Sequence, residues 1–177
     1  MISLKQLFGE IKNDLPGRRF KILTFLKAYL YSARFRILLN HRLGKYFFKS
    51  GNFFLRQIGV YYKYRLIVKR NCDISYNAKI GKGLRLPHPL GIVIGTGVVI
   101  KDNVMIFQQV TLGSHGKKGN MQYPVIEDNV KIFAGAKIIG GVTVGENSII
   151  GANSLINKDV PPNSIAYGIP CKIKSKN

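Results

Sequence analysis

The sequence predicts a mainly β fold in which a parallel solenoid of six-residue repeats follows an N-terminal helical segment. Two observations predict it: aliphatic residues recur every six positions in the later part of the chain, and apolar residues recur at helical spacing before that. A length of 177 residues allows one domain with a sizeable appendage, and 46% hydrophobic with 20% charged residues excludes wholesale disorder.

The six-residue period defines the later part of the chain. Helices repeat about every 3.6 residues and simple strands about every 2, so neither explains this period, whereas short strands joined by tight turns and stacked as a solenoid do. Glycine or asparagine stands in many of the intervening turns, where we expect open or left-handed backbone. The thirteen aliphatic positions are Ile74, Ile80, Leu86, Ile94, Ile100, Ile106, Leu112, Ile126, Ile132, Ile138, Val144, Ile150 and Ile156. The turn residues are Gly81, Gly95, Gly145, Gly151, Asn103, Asn129 and Asn147.

Composition changes near Arg70. Residues 1–70 hold 16 Lys and Arg against 2 acidic residues, a net charge of +14, and 14 of the 19 aromatic residues. Residues 71–177 have a net charge of +6 and hold 14 of the 19 glycines. We therefore expect a basic, aromatic-rich helical segment over residues 1–70 and a separate repeat domain over residues 71–177.

Apolar spacing places the helices of the first segment. It predicts one helix over Phe20–Leu39 and a second over Arg42–Phe48, with Gly51 and Asn52 as the stop signal. Phe53–Arg70 is predicted as a third helix, although its β-branched and aromatic residues leave a strand as the alternative.

The net charge of +20 favours an anionic partner. Basic and aromatic residues interleave over residues 1–70, a pattern typical of helices at anionic bilayer surfaces. The alternative is a solvated basic face whose aromatic residues pack on the repeat domain, and nucleic acid is the least favoured partner. No stretch approaches about 18 uncharged apolar residues and no signal-peptide pattern begins the chain, so we expect a cytoplasmic protein, soluble or peripheral at the inner membrane face. Cys72 and Cys171 lack metal-ligand spacing, so we expect neither a disulfide framework nor a bound metal.

The repeat is interrupted twice, and each interruption contains a histidine. His88 lies where two extra residues enter between Leu86 and Ile94, and His115 lies in a non-repetitive, extruded loop over residues 113–124. Histidine is the side chain best suited to accept a proton near neutral pH, which acyl transfer to a hydroxyl requires. Both histidines are therefore candidate catalytic residues.

The hexads, of the form aliphatic, Gly, x, x, small, x, resemble the hexapeptide-repeat acyltransferases. The motifs around them are most similar to the serine acetyltransferase branch of that family. The resemblance implies a left-handed parallel β-helix of hexapeptide repeats with three hexads per coil, so that thirteen hexads make a little over four coils. The segments that carry the likeness are residues 72–83, 86–88, 91–95, 110–113, 134–138, 151–154, 158–162 and 168–170.

The same resemblance implies a catalytic dyad. In that branch a histidine is the general base and an aspartate fifteen positions before it orients the ring, which gives His88 and Asp73 here. Related sugar acetyltransferases take their base from the extruded loop instead. His115 and Tyr123 are therefore placed as acceptor-binding residues or as the alternative base.

The resemblance also implies acetyl-CoA as the acyl donor. Family members lay its pantetheine arm in a groove between adjacent helices, which maps here onto Gly113, Ala134 and Ala152, while Lys158 is available for the phosphates. Because one solenoid supplies only half of such a groove, we expect a homo-oligomer, and a trimer in particular.

Departures from the branch pattern concern the acceptor. The serine acetyltransferases usually carry an Asp immediately before the catalytic His and an Arg-His pair before the proline that closes the loop, whereas this chain has Pro87, Gln122 and Tyr123. These charged groups are the ones expected to bind an amino acid's ammonium and carboxylate. We therefore expect an O-acetyltransferase that acts on a sugar hydroxyl of a surface polysaccharide or its precursor, with serine as the alternative acceptor. A non-enzymatic repeat scaffold is disfavoured because Asp73 and His88 are both present.

Overall fold

The computed structural model describes residues 2–116 and 121–176. The chain divides into two compact units, Met1–Cys72 and Asp73–Asn177. Among the described residues, none of the helices combines the length and the apolar character that crossing a bilayer requires.

Four α-helices make up most of the described part of the first unit. They are α1 (Leu4–Asp14), α2 (Ile22–Tyr31), α3 (Ala33–Phe48) and α4 (Phe53–Tyr64), with a 3-10 turn at Pro16–Arg18 and a π-helical turn at Arg65–Lys69. The core that α1, α2 and α3 share is apolar throughout its buried members, which are Leu7, Ile11, Leu15, Ala28, Phe35 and Leu39.

The predicted helix over Phe20–Leu39 is wrong, because the chain breaks at Ser32. The Ser32 hydroxyl accepts a hydrogen bond from the amide of Phe35 at 3.2 Å and so caps the N-terminus of α3. Helix α3 then continues through Phe48, without the break that apolar spacing predicts before Arg42. A serine cap outweighs an apolar period that happens to continue across it.

The boundary after α3 is confirmed at Gly51 and Asn52. Asn52 caps the next helix, because its side-chain oxygen accepts a hydrogen bond from the amide of Leu55 at 3.2 Å. The segment from Phe53 to Tyr64 is helical, so the strand alternative is wrong.

A buried charge cluster lies inside the helical unit. Arg42 is 2% exposed, and its Nε donates a hydrogen bond to Oδ2 of Asp14 at 3.1 Å. The Nη1 atom of Arg42 lies 3.3 Å from Oε2 of Glu10. Both acidic residues of the first 70 therefore pair with one arginine.

Fourteen short strands form the described part of the second unit. They are β1 (Cys72–Ile74), β2 (Lys79–Ile80), β3 (Ile92–Ile94), β4 (Val99–Ile100), β5 (Met105–Ile106), β6 (Thr111–Gly113), β7 (Val125–Ile126), β8 (Lys131–Ile132), β9 (Lys137–Ile139), β10 (Thr143–Val144), β11 (Ile149–Ile150), β12 (Leu155–Ile156), β13 (Ser164–Tyr167) and β14 (Lys172–Ser175).

The strands form three sheets, and from β4 to β12 successive strands enter sheets 2, 3 and 1 in turn. Sheet 1 has the order β1-β3-β6-β9-β12, sheet 2 has β2-β4-β7-β10, and sheet 3 has β5-β8-β11-β13-β14. Ile94 pairs with Leu112, and Ile138 pairs with Ile156, in parallel register. Each of these pairs is eighteen residues apart, which confirms three hexads per coil. The chain closes with an antiparallel pair of β13 and β14.

The interior of the solenoid is built from the repeat itself. All of the thirteen aliphatic positions are buried except Ile80, which is half-buried. Each inward side chain stacks on the one from the next coil, so the core is one continuous apolar column. The coils meet at three edges, named here by the sheets that they join: edge 1–2, edge 2–3 and edge 3–1.

Asparagines and glycines serve the turns for different reasons. The asparagines adopt left-handed backbone as expected, with φ of 59° at Asn103, 59° at Asn129 and 60° at Asn147. The four turn glycines, Gly81, Gly95, Gly145 and Gly151, do not have positive φ, so of the open or left-handed backbone expected there the left-handed alternative is wrong. Their turns need glycine because coils approach closely: a Cβ on Gly151 would lie 2.8 Å from the Cβ of Tyr167.

Candidate active site

The two extra residues of the first coil form a bulge that presents His88 at edge 3–1. Leu86 before it is buried, whereas His88 and Leu90 are exposed. Within the bulge, the amide of Leu90 donates a hydrogen bond to the carbonyl of His88 at 2.9 Å, and Gly91 has φ of 65°, which turns the chain into β3. The amide of Gln109 donates to the carbonyl of Leu90 at 2.8 Å and fixes the bulge to the next coil.

Asp73 is the middle residue of β1, exposed between two buried neighbours. Strand β1 neighbours β3 in sheet 1, and His88 lies four residues before β3 begins. Directly after His88, the chain therefore enters the strand that lies next to the one carrying Asp73. This topology is compatible with the predicted dyad, which stays a prediction.

Two aromatic rings continue from His88 along edge 3–1. The imidazole centroid lies 6.3 Å from that of Phe107, with the ring planes at 42°. Phe107 stacks on Phe133, with centroids 5.0 Å apart and planes at 17°. Sequence reasoning missed both residues. The available signal was a phenylalanine directly after the aliphatic position, where other hexads such as those of Gly95 and Gly151 have glycine.

The described parts of the 113–124 loop contact the coils on either side of it. The ring of Tyr123 lies over the Gly95–Gly97 turn of the preceding coil, where a Cβ on Gly95 would be 3.1 Å from Cε1 of Tyr123. His115 is exposed and lies over the following coil, 3.3 Å from the position of a Cβ on Gly140. Lys117 and Lys118, which the sequence places in this loop, lie outside the described residues.

The loop and His88 are therefore on different edges of the solenoid. The loop joins β6 of sheet 1 to β7 of sheet 2 and lies at edge 1–2, while His88 lies at edge 3–1. Within one chain, the structure does not bring His115 or Tyr123 to His88. Sheet 1 separates them.

The predicted donor-binding residues divide between the same two edges. Ala134 and Ala152 lie at edge 3–1, on the coils beyond Phe107. Gly113 ends β6 and Lys158 follows β12, so both lie at edge 1–2. Edge 3–1 therefore carries His88 with two small residues in line, and edge 1–2 carries the loop and a lysine.

An acidic groove of about 460 Å³ lies on sheet 2 and edge 2–3, and its described lining does not include the predicted site residues. Three carboxylates line it, from Glu127, Glu146 and Asp159. Two are already engaged: Oδ1 of Asp159 accepts a hydrogen bond from the Thr143 amide at 2.7 Å, and Oε2 of Glu127 lies 3.7 Å from Nζ of Lys101. Within residues 2–116 and 121–176, no group of three or more His, Cys, Asp or Glu side chains is arranged to hold a metal ion.

The repeat unit is similar to proteins of a known repeat family. The family model described as bacterial transferase hexapeptide (six repeats) matches residues 123–158. The serine acetyltransferase of Escherichia coli K12 is 40% identical over 147 residues, covering 83% of this chain and 53% of that protein. The chain thus spans about half the length of the curated relatives that it matches.

Solved structures extend the likeness to both units. A serine acetyltransferase in complex with CoA matches with a TM-score of 0.79 and 30% sequence identity. The match covers 97% of this chain and 71% of the relative's chain. Soybean serine acetyltransferase complexed with serine matches with a TM-score of 0.77 and 30% sequence identity. That match covers 95% of this chain and 68% of the soybean chain.

These relatives correct one expectation and confirm another. The expected acceptor, a sugar hydroxyl of a surface polysaccharide or its precursor, is wrong, because relatives up to 40% identical are named serine acetyltransferases. The expected fold is confirmed as a left-handed parallel β-helix of hexapeptide repeats with an N-terminal helical segment. The chain belongs to the hexapeptide-repeat acyltransferases, in their serine acetyltransferase-like branch.

Proposed function

We propose that this protein is an O-acetyltransferase that transfers the acetyl group of acetyl-CoA to the hydroxyl of serine. The observation that carries the proposal is the 40% identity to a serine acetyltransferase over 83% of the chain. The serine held by one solved relative and the CoA held by another support the acceptor and the donor.

His88 is the proposed general base. Its exposed imidazole, on a bulge pinned to the next coil, is accessible to an incoming hydroxyl. The imidazole takes the hydroxyl proton as the oxygen forms its bond to the acetyl carbon, and the carbon–sulfur bond breaks. The imidazolium then returns the proton to the departing thiolate. Asp73 is proposed to orient the ring and stabilise its charged form.

The residues along edge 3–1 fit the donor. Acetyl-CoA supplies a reactive thioester at the end of a long, narrow arm. Ala134 and Ala152 bear side chains too short to block such an arm, and Ala152 is exposed. Lys158 is exposed at edge 1–2 and can meet a phosphate there.

The division of the site residues between two edges supports a homo-oligomer. His88 and Ala134 lie at edge 3–1, whereas Gly113, Lys158 and the loop lie at edge 1–2. A second copy placing its edge 1–2 against the first copy's edge 3–1 would join them. Repeating that head-to-tail contact around a three-fold axis closes a ring, so we propose a trimer.

The proposed activity is tested by thiol release from acetyl-CoA. We expect release that depends on L-serine and is absent with L-alanine, which has the same amino-acid groups but no hydroxyl. Equal release with both amino acids, or with neither, contradicts serine as the acceptor.

The helical unit supports a second proposal, docking on an anionic membrane. Helix α2 exposes 75% of Ile22, 50% of Leu26 and 60% of Leu30, spaced four residues apart on one face. Lys21 and Lys27 beside them are exposed. The first 70 residues hold 16 cations and only two acidic residues, both of which pair with Arg42, so the unit keeps a large net positive charge. Each cation near an anionic leaflet contributes about 1 kcal/mol.

Vesicle sedimentation tests the docking proposal. We expect binding to vesicles with anionic lipid, release by salt, and no binding to neutral vesicles. Leu26→Glu should abolish binding, while Gln57→Glu, the matched control for the same charge change on α4, should weaken it only slightly. Equal effects of the two variants, or equal binding to neutral vesicles, contradict docking through α2.

A further inference from the structure

We propose that Phe107 is a positioning residue for His88 and that Phe133 holds Phe107 in place. The proposal rests on the proposed function, because it assigns His88 as the base whose ring must be held. It concerns residues that no sequence motif singled out.

His88 needs support because its bulge is not part of a strand. Two hydrogen bonds fix the main chain of the bulge, from Leu90 to His88 and from Gln109 to Leu90. Neither involves the imidazole. The ring of Phe107, whose centroid lies 6.3 Å from the imidazole at 42°, borders it on the side of the next coil.

Phe107 is itself fixed by the regular repeat. Its amide donates a hydrogen bond to the carbonyl of Ile132 at 3.0 Å, and the amide of Phe133 donates to that of Ile150 at 3.0 Å. Strands β5 and β8 pair in parallel, so the two phenylalanines that follow them lie in register one coil apart. Their rings stack at 5.0 Å and 17°. The solenoid thus places a rigid ring beside a base that stands on an irregular segment.

The consequence concerns the chemical step. Proton transfer requires the imidazole within hydrogen-bond reach of the hydroxyl, so a ring free to swing spends less time in the productive geometry. Removing Phe107 should lower kcat and leave the KM for acetyl-CoA unchanged. The expected loss is about two- to tenfold, the factor that corresponds to one aromatic pair.

Phe107→Ala tests the proposal, with Phe107→Tyr as the conservative variant and Tyr167→Ala as the control. Tyr167 is 41% exposed at the same edge and lies several coils beyond His88. We expect Phe107→Ala to lower kcat alone, Phe107→Tyr to restore it, and Tyr167→Ala to retain it. In a His88→Ala background, Phe107→Ala should have no further effect, since it acts through His88. Equal losses in both alanine variants, or a full loss of kcat added on top of His88→Ala, overturn the proposal.

A readout without substrate separates this inference from the proposed function. The protein has three histidines, so selective histidine labelling gives few imidazole resonances. We expect Phe107→Ala to shift and broaden the His88 resonance, and Tyr167→Ala to leave it unchanged. An unshifted His88 resonance overturns the inference even if serine is acetylated. A shifted resonance in a protein that does not acetylate serine supports the inference and contradicts the function.

Discussion

Replacing Arg42 with methionine removes the only charge that Asp14 meets through a side-chain hydrogen bond among the described residues. Arg42 and Asp14 are 2% and 3% exposed, and the bond between them is 3.1 Å long. Breaking a buried pair from one side costs about 3–5 kcal/mol, because a charged group is left in a poorly solvating interior. Arg34, which donates to the main-chain carbonyl of Asp14 at 3.2 Å, still attracts the carboxylate, so we expect a loss near the lower end, about 3 kcal/mol.

The loss should depend on pH. Burial raises the pKa of the Asp14 carboxyl, while the charge of Arg42 opposes that rise. The folded protein therefore keeps this proton to a higher pH than the unfolded chain, whose carboxyl has a pKa of about 3.9. Between the two pKa values the free energy of unfolding falls as pH rises. Without Arg42 the folded pKa rises further, so Arg42→Met should be least destabilising in acid and most destabilising at neutral pH.

Urea unfolding followed by far-UV circular dichroism measures the effect, because the helices lie in the first unit. The paired control is Asp14→Leu with Arg42→Met, which removes both charges and should recover most of the lost stability. A loss below about 1 kcal/mol, the value of a solvated surface pair, would refute the reasoning. So would a loss that is the same in acid and at neutral pH.

The remaining predictions concern the site. His88→Ala should lower kcat by about 10²- to 10⁴-fold with little change in acetyl-CoA affinity, and Asp73→Asn should lower kcat by a smaller factor. Steady-state kinetics measure both variants. If His88→Ala is nearly normal and His115→Ala is inactive, the base is His115 in the loop. Pro87→Asp should lower the KM for serine about tenfold by supplying one charge-assisted partner for the ammonium, whereas Leu90→Asp, a control on the same bulge, should not. Light scattering should give the mass of a trimer, and a fully active monomer would contradict a site shared between copies.

The solenoid was predictable from sequence because its rule is local. Each hexad contributes one aliphatic side chain to the interior, so the structural repeat has the same six-residue period as the sequence. Left-handed turns at the asparagines were predictable for the same reason, since few other residue types tolerate positive φ. The turn glycines were misjudged, because their reason is the approach of the next coil. For Gly151 that neighbour is Tyr167, sixteen residues later.

The sequence analysis missed two kinds of feature: contacts between side chains of different coils, and helix boundaries set by an N-terminal cap. The pair of Phe107 and Phe133 becomes visible only when the 113–124 loop is set aside and the coils are aligned. The break at Ser32 was hidden because apolar spacing continues through it, although a serine three residues before Phe35 was a usable cap signal. The separation of His88 from His115 by sheet 1 needed the winding order of the strands.

The most direct test of the central claim is to identify the product. Wild-type protein should convert acetyl-CoA and L-serine into CoA and O-acetylserine in equal amounts, as followed by NMR. His88→Ala should form O-acetylserine more slowly by a factor of about 10² or more. Release of CoA without O-acetylserine, or the same rate of O-acetylserine formation in His88→Ala, would contradict the account.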